Sequence, residues 1–568
     1  MKMLGSEAII ECLKREGVDL IFGYPGGAVL TLYDAIHKLQ LPHILTRHEQ
    51  GAVHAADGYA RATGKTGVCF ATSGPGGTNL VTGIANAYMD SVPIVAITGQ
   101  VSVDLIGKDS FQEADICGIT TPITKHNYLV KKPEELTRVL KEAFYIASTG
   151  RPGPVVVDVS KDVFNAVIDF EYPEEISLRG YSPVFAGEEE SIDQLVEVMK
   201  KAKKPLIFVG GGVVLSDTSN ELRKLTELTG FPVTTSIMGL GTIPSDDPNC
   251  LGMLGMHGTY VANMGAVDCD FLLGIGVRFD DRVTGLVKKF ASNAYIAHMD
   301  IDKAEVNKNV LVDLKVVGDL KWSLPLLLDK IEKSNPEKYR ENVKEWMTQI
   351  KEWQQEVPLP QTYPTTDEGI LPEKIITEVS NITGGDATLV TDVGQHQMWA
   401  AQYSKFIKPR SFFTSGGLGA MGYGLPAAMG AKFGIPQEQV ILFTGDGSIM
   451  MNCQELSTIA DNDLPLKIIV LNNEVLGMVH QWQRMFYGGR YIHSTTKGKT
   501  DLVKLAEAMG VTAFRIEKEE ELVAGLRKAL IEIKGPVLVD IVIPQTANVL
   551  PMVPPGSRLD QMILGGKD

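Results

Sequence analysis

Val440-Ile441-Leu442-Phe443 leads into Gly445-Asp446-Gly447-Ser448, and Ile468-Ile469-Val470-Leu471 leads into Asn472-Asn473. Each polar tip follows an apolar run of strand length, and residues 448–461 leave room for a short helix between them. A strand–loop–helix–strand–loop unit puts both loops at the carboxyl ends of parallel strands, where α/β sheets hold ligands. The Asp446 carboxylate and the Asn473 amide would then converge on one crevice. Mg²⁺ takes such oxygen ligands, usually one or two protein side chains with phosphate oxygens completing the shell. Gly445 and Gly447 allow close backbone approach, and Ser448 opens a helix whose free N–H groups favour an anion. The stretch reads as Mg²⁺ bridging protein to a diphosphate.

Outward from there, short Val/Ile-rich runs alternate with helical segments. The expected strands are Val68–Phe70, Ile94–Ile97 and Val155–Val159, then Leu206–Val209, Phe271–Leu273 and Ala294–Ala297. Leu389–Thr391, Val440–Phe443, Lys467–Leu471 and Val537–Val542 follow. Such alternation implies an α/β chain of doubly wound domains around central parallel sheets. Two polar, strand-poor stretches divide it: a domain over 1–170, a linker over 171–190, a middle domain over 191–335, a second linker over 336–367, a third domain over 368–548 and a tail over 549–568. A chain of 568 residues with 44% hydrophobic and 22% charged residues fits several soluble domains. The net charge of −15 speaks against a nucleic-acid partner, since phosphate backbones need a basic face. Six cysteines without CxxC spacing suggest neither a zinc ribbon nor a disulfide framework. Met1–Leu13 reads as an amphipathic helix, no run reaches the length of a membrane span, and the expected location is cytoplasmic.

A lone Gly-Asp-Gly is usually a turn, but joined to Asn-Asn a little over two dozen residues later it resembles the thiamine-diphosphate signature. Motif by motif the chain resembles acetohydroxyacid synthase (acetolactate synthase of the biosynthetic, FAD-containing type), large catalytic subunit. The resemblance rests on Tyr24-Pro25-Gly26-Gly27-Ala28, Arg47-His48-Glu49-Gln50 and Asp109-Ser110-Phe111-Gln112-Glu113-Ala114-Asp115. It rests also on Arg278-Phe279-Asp280-Asp281-Arg282, Gly416-Gly417-Leu418-Gly419-Ala420-Met421-Gly422 and Gly477-Met478-Val479-His480-Gln481-Trp482. It runs from about Leu4 to Ile563. The implied fold has thiamine-diphosphate-binding domains at both ends, pyrimidine-binding first and diphosphate/Mg-binding last, around an FAD-binding Rossmann-like middle domain.

The resemblance implies decarboxylation of pyruvate on thiamine diphosphate and transfer of the hydroxyethyl unit to pyruvate or 2-oxobutyrate. The products are 2-acetolactate or 2-aceto-2-hydroxybutyrate, the first common step toward valine, leucine and isoleucine. Glu49 matches the glutamate that hydrogen-bonds N1′ of the aminopyrimidine, and Gly74 and Gly76 lie in a turn close to that ring. Met421 matches the residue that props the cofactor in its bent form, beside Gly419. Val393, Gly394, Gln395 and His396, with Gly447, Ser448, Gly477 and Met478, match contacts to the diphosphate and thiazolium. Asp446, Asn473 and the main-chain carbonyl of Val475 match the Mg²⁺ ligands. Phe111, Gln112 and Lys125 match residues that close over the thiazolium from a neighbouring subunit. Trp482 matches the residue that selects the acceptor, and Arg278 one near the acceptor carboxylate and the flavin.

Gly210-Gly211-Gly212 follows a strand but lacks the G-x-G-x-x-G spacing of a dinucleotide turn. The resemblance still implies a structural, non-redox FAD, with contacts at Arg151, Gly211, Gly212, Met256, His257, Gly258, Thr259, Gly276, Arg278, Asp300, Ile301, Gly318 and Asp319. It also implies a homodimer or homotetramer with active sites at subunit interfaces and a separate small regulatory subunit. Ser102 stands where many relatives carry Pro, in a channel used by inhibitor herbicides. Two other readings remain open: a pyruvate oxidase-like enzyme with the same cofactors, and a non-catalytic flavin- or nucleotide-binding regulatory protein.

Overall fold

A computed structural model describes residues 1–358, 369–496 and 500–565. The chain forms three six-stranded sheets, each entirely parallel, flanked by helices. The first runs His43–Leu45, Ile21–Gly23, Gly67–Ala71, Ile94–Gln100, Pro154–Ser160 and His126–Val130 in spatial order. The second runs Cys250–Met253, Val233–Thr235, Pro205–Val209, Phe271–Ile275, Tyr295–Asp300 and Leu314–Val317. The third runs Phe412–Phe413, Thr388–Thr391, Val440–Gly445, Lys467–Asn472, Val537–Val542 and Thr512–Ile516. Every residue of Gly67–Ala71, Ile94–Gln100 and Val440–Gly445 is buried, as strands covered on both faces require.

The N-terminal helix starts at Gly5, because Lys2–Leu4 is a strand paired antiparallel with Val167–Asp169. Glu49 opens the helix Glu49–Thr63, and the strand before it ends at Leu45. The stretch expected as linker over 336–367 holds two helices, Pro336–Asn342 and Lys344–Glu356. They dock on the middle sheet through the fully or almost fully buried Tyr339, Trp346 and Ile350, and the Trp346 indole N–H donates to the Pro205 carbonyl at 2.9 Å. Residues 359–367 of that stretch, and 566–568 of the tail, lie outside the described residues.

The first and third domains meet along two helices, Glu49–Thr63 and Gly424–Gly434, whose side chains share one hydrophobic cluster. Gly58 faces the backbone of Ala427 and Gly430 faces that of Ala55, so closely that a Cβ at either would overlap a carbonyl oxygen. Gly58→Ala therefore forces the helices apart and is expected to destabilise by about 1–3 kcal/mol, as overpacking does. Thermal unfolding checks it; an unchanged midpoint would show that the helices can separate freely.

Beside this contact lies a buried polar network. The Arg61 guanidinium pairs with Asp57 at 2.5 Å and Asp90 at 2.9 Å, and Asp57 also accepts from the Tyr423 hydroxyl at 2.8 Å. Asp90 accepts the N–H groups of Gly416 and Gly417 at 3.0 and 2.7 Å. The first domain thus holds the loop that leads to Met421.

Candidate active site

Val440–Gly445 and Lys467–Asn472 are neighbours in the third sheet, with Gly445 in register with Leu471. Their loops therefore emerge side by side, and Asp446 and Asn473 line one small pocket of about 70 Å³. The helix expected after Ser448 is split into Asp446–Ile449 and Glu455–Asp461. Asp446 accepts from the Thr496 hydroxyl at 2.6 Å, and burial raises its pKa against that bond. The Asn473 amide is oriented by Gln395: its Nδ2 donates to Gln395 Oε1 at 3.2 Å, while its oxygen accepts the Val475 N–H at a long 3.3 Å. Gln395 in turn donates to Gln481 at 2.8 Å and to the Ala547 carbonyl at 2.9 Å. Asp446 and the Asn473 oxygen, with Val475 lining the same pocket, offer all-oxygen donors that include a single carboxylate. That is too few for a protein-only cage and suits Mg²⁺ whose remaining ligands are phosphate oxygens. Among the described residues no cluster of three or more His, Cys, Asp or Glu offers an alternative centre.

The same pocket is lined by Val393, Gly394, His396, Met421, Gly447, Ser448, Gly477 and Met478. Ser448 donates to the Val393 carbonyl at 3.0 Å, tying the two loops together. A Cβ on Gly477 would overlap the Gln395 amide, so any side chain there would push Gln395 off its bonds to Asn473 and Gln481. Burial pushes the His396 pKa down to about 3, so the ring is neutral, and its buried Nε2 has no partner among the described residues. An orphaned polar atom facing this pocket points to a ligand group that bonds it there.

A second cavity of about 1170 Å³ adjoins the first and shares Val393, Gly394, Met421, Met478 and Val479 with it. It extends from those residues past Trp482 and Arg278 to Gly210, Gly211, Gly212, Met256, His257 and Gly276. This exceeds the usual volume for one drug-sized ligand and has room for a dinucleotide. Gly212 and Gly276 pack backbone to backbone, Gly276 with φ +59, and a Cβ on either would fill the gap between them. The Trp482 indole N–H is buried without a partner among the described residues. The whole Arg278–Arg282 run lines the cavity; Arg282 makes an exposed pairing with Asp281, and Asp280 caps the helix Asp281–Thr284. Gly419 lines this cavity too, with φ +70.

The remaining expected flavin contacts do not line it. Gly258 packs against the Met253 carbonyl, and Thr259 caps the helix Tyr260–Asp268. Asp300 accepts the Asp302 N–H at 2.8 Å, Ile301 lies between them, Gly318 donates to the Asp300 carbonyl at 3.0 Å, and Asp319 caps the helix Leu320–Lys333. Arg151 pairs with Asp302 and Glu305 at 3.2 and 2.6 Å and donates to Ser91, a cavity residue, at 2.8 Å.

Glu49 stands apart from both cavities. Its carboxylate is buried and accepts from Asn79 at 2.9 Å. A Cβ on Gly76 would touch the Glu49 carboxylate, and the nearby Gly74 (φ +59) packs so closely on Gln112 that a Cβ there would strike the Gln112 carbonyl. Gln112 itself has φ +58, and its neighbour Phe111 is 88% exposed. Lys125 is not beside them. Its ammonium donates to the Thr149 carbonyl at 2.7 Å, to the Ile146 carbonyl and to the Tyr181 hydroxyl at 3.1 Å, and burial lowers its pKa to about 8. In this chain it closes the end of the helix Leu136–Ser148.

Asp392 was not foreseen. Fully buried, it accepts the N–H groups of Val393, Gly422 and Gly424 at 2.8, 2.8 and 3.2 Å, so one carboxylate joins the Val393–His396 loop to the turn that presents Met421. Burial lifts its pKa to about 6 against those three donors.

Models of three families match the chain: "Thiamine pyrophosphate enzyme, N-terminal TPP binding domain" over residues 3–119, "central domain" over 192–327 and "C-terminal TPP binding domain" over 392–541. The fold is that of a thiamine pyrophosphate enzyme. Over its whole length the chain is 45% identical to "Acetolactate synthase isozyme 3 large subunit" of Escherichia coli, covering 99% of both chains. It is 47% identical to "Probable acetolactate synthase large subunit" of Methanococcus aeolicus, covering 99% of this chain and 95% of that one. To "Acetolactate synthase large subunit" of Corynebacterium glutamicum the figures are 48%, 98% and 89%. The chain belongs to the acetolactate synthase large-subunit family.

Proposed function

We propose that the chain is the catalytic subunit of an acetolactate synthase, joining the two-carbon unit of pyruvate to a second 2-keto acid. The observation that carries the reading is the pairing of Asp446 and Asn473 in one pocket whose wall, at Met421 and Met478, is shared with a larger substrate-sized cavity. Thiamine diphosphate supplies, when bound, a nucleophilic carbon and an electron sink. The residues that would hold it are Gly394, Gln395, His396, Gly447, Ser448, Gly477 and Met478, with Mg²⁺ on Asp446, Asn473 and the Val475 carbonyl.

Glu49 would exchange a proton with the aminopyrimidine N1′. It does not line the diphosphate pocket of its own chain. Phe111, next to Gln112, is a large apolar side chain left almost wholly exposed in the single chain. Both facts favour an active unit of at least two chains, Glu49, Phe111 and Gln112 of one completing the pocket of the other. Lys125, spent on three acceptors, is better read as structural.

Arg278 can pair with an acceptor carboxylate, bidentate if both nitrogens reach it. Trp482 offers an apolar face for the extra methylene of 2-oxobutyrate. Trp482→Leu should reduce the preference for 2-oxobutyrate over pyruvate by about 1–3 kcal/mol of discrimination, the worth of a methylene in such a pocket. Product ratios under competition measure it, and an unchanged ratio removes Trp482 from acceptor choice.

The cavity from Gly210 to Arg278 fits FAD in size and in its glycine cradle. Since the reaction has no net redox change, the flavin would act structurally. Among the described residues no helix is long and apolar enough to cross a membrane. The deciding experiment is an anaerobic assay of the purified protein with pyruvate, thiamine diphosphate, Mg²⁺ and FAD, with and without 2-oxobutyrate. Acetolactate should form while the flavin stays oxidised. Reduction of the flavin by pyruvate at the rate of turnover would favour an oxidase instead.

A further inference from the structure

We propose that Glu455, in the third domain, is the positioning residue for Glu49 in the first. The inference rests on the assignment of Glu49 to the aminopyrimidine and goes beyond it. Glu455 is wholly buried. Its Oε1 accepts the N–H groups of Arg47 at 2.9 Å and His48 at 3.1 Å, the two amides directly ahead of Glu49. Its Oε2 accepts from the Thr458 hydroxyl at 2.8 Å and from the Arg47 N–H at 3.2 Å. Gly51, in the first turn of the helix that Glu49 opens, lies so close that a Cβ there would overlap the Glu455 carboxylate. The turn from Leu45 to Glu49 therefore rests on a side chain from another domain.

The two supports are complementary. Asn79 holds the Glu49 carboxylate from inside its own domain, and Glu455 fixes the backbone from which that carboxylate projects. Glu455 opens the helix Glu455–Asp461, shortly after the Asp446–Ile449 segment of the diphosphate pocket. One short stretch of chain thus links the metal-binding tip to the setting of Glu49. Burial lifts the Glu455 pKa to about 7 against the Thr458, Arg47 and His48 donors, so the carboxylate is retained at a solvation cost.

Positioning depends on how far the acceptor reaches, whereas a merely electrostatic or structural staple depends on charge or packing. Glu455→Asp keeps the charge and withdraws the acceptor by one methylene. Glu455→Gln keeps the reach and one carbonyl oxygen for the Arg47 and His48 amides, and its amide can donate to Thr458. The readout is hydrogen–deuterium exchange at C2 of thiamine diphosphate bound to the full chain with Mg²⁺ and FAD, alongside cofactor half-saturation and thermal unfolding. E455D should slow exchange roughly ten- to a hundredfold, the cost of a misplacement near 1 Å, with little change in half-saturation. E455Q should keep the greater part of the exchange rate. E455D exchanging at the wild-type rate would overturn the proposal. So would E455Q slowed as much as E455D, or slowing that only follows lost stability or lost cofactor. E49Q runs as the control: if it exchanges normally, the Glu49 assignment fails and takes this inference with it; if E49Q alone is slow, only the role of Glu455 fails.

Discussion

Glu49→Gln should leave the protein folded and able to take up thiamine diphosphate, yet lower acetolactate formation by roughly 10²–10⁴-fold, the span of general acid–base catalysis. Glutamine fills the same volume and can still accept from Asn79, so the Asn79 bond at 2.9 Å need not be lost. What it cannot do is exchange a proton with N1′. The effect should fall on kcat, because an interaction made chiefly in the transition state lowers kcat and kcat/KM together. Steady-state kinetics with cofactor titration separates the outcomes. Full activity in E49Q would refute the role assigned to Glu49.

Asp446→Asn should abolish activity by a different route. Asp446 is the only carboxylate among Asp446, Asn473 and the Val475 carbonyl, and burial already raises its pKa, so it gains most from a cation. Replacing it leaves Mg²⁺ a neutral donor set. The loss of Mg²⁺ and thiamine diphosphate affinity should exceed the roughly 10–100-fold typical when only a partner of a metal ligand is removed. A fluorescence titration of cofactor at fixed Mg²⁺ measures it, and chelating the metal from the wild-type protein should give the same loss. Wild-type affinity in D446N would place the metal elsewhere.

Much of the fold was legible because parallel strands buried on both faces leave continuous apolar runs. Val440–Gly445, Lys467–Asn472 and Pro154–Ser160 announce themselves in this way. Ile21–Gly23 and His43–Leu45, three residues each, are too short to show a period, and Thr512–Ile516 is a half-exposed edge strand. The helices Pro336–Asn342 and Lys344–Glu356 passed for linker because their Lys/Glu-rich outer faces hide the few buried positions that dock them.

The site divides similarly. Asp446 and Asn473 were readable from local context, each one step past a buried strand. Asp392 and Glu455 were not, since their meaning lies in amides 30 or about 400 residues away. A carboxylate at a strand end or helix start looks like an ordinary cap. Lys125 is the converse case: its family position implies chemistry, while in this chain its ammonium donates to the carbonyls of Ile146 and Thr149.

In the proposed holoenzyme, two adjacent strand tips hold a metal–diphosphate between them. A crystal structure of the protein grown with thiamine diphosphate and Mg²⁺ tests it most directly. Metal density is expected within ligand distance of Asp446, the Asn473 amide oxygen and the Val475 carbonyl, with the diphosphate against Gly447, Ser448 and His396. Diphosphate density away from that pocket, or a metal that touches neither Asp446 nor Asn473, would contradict it.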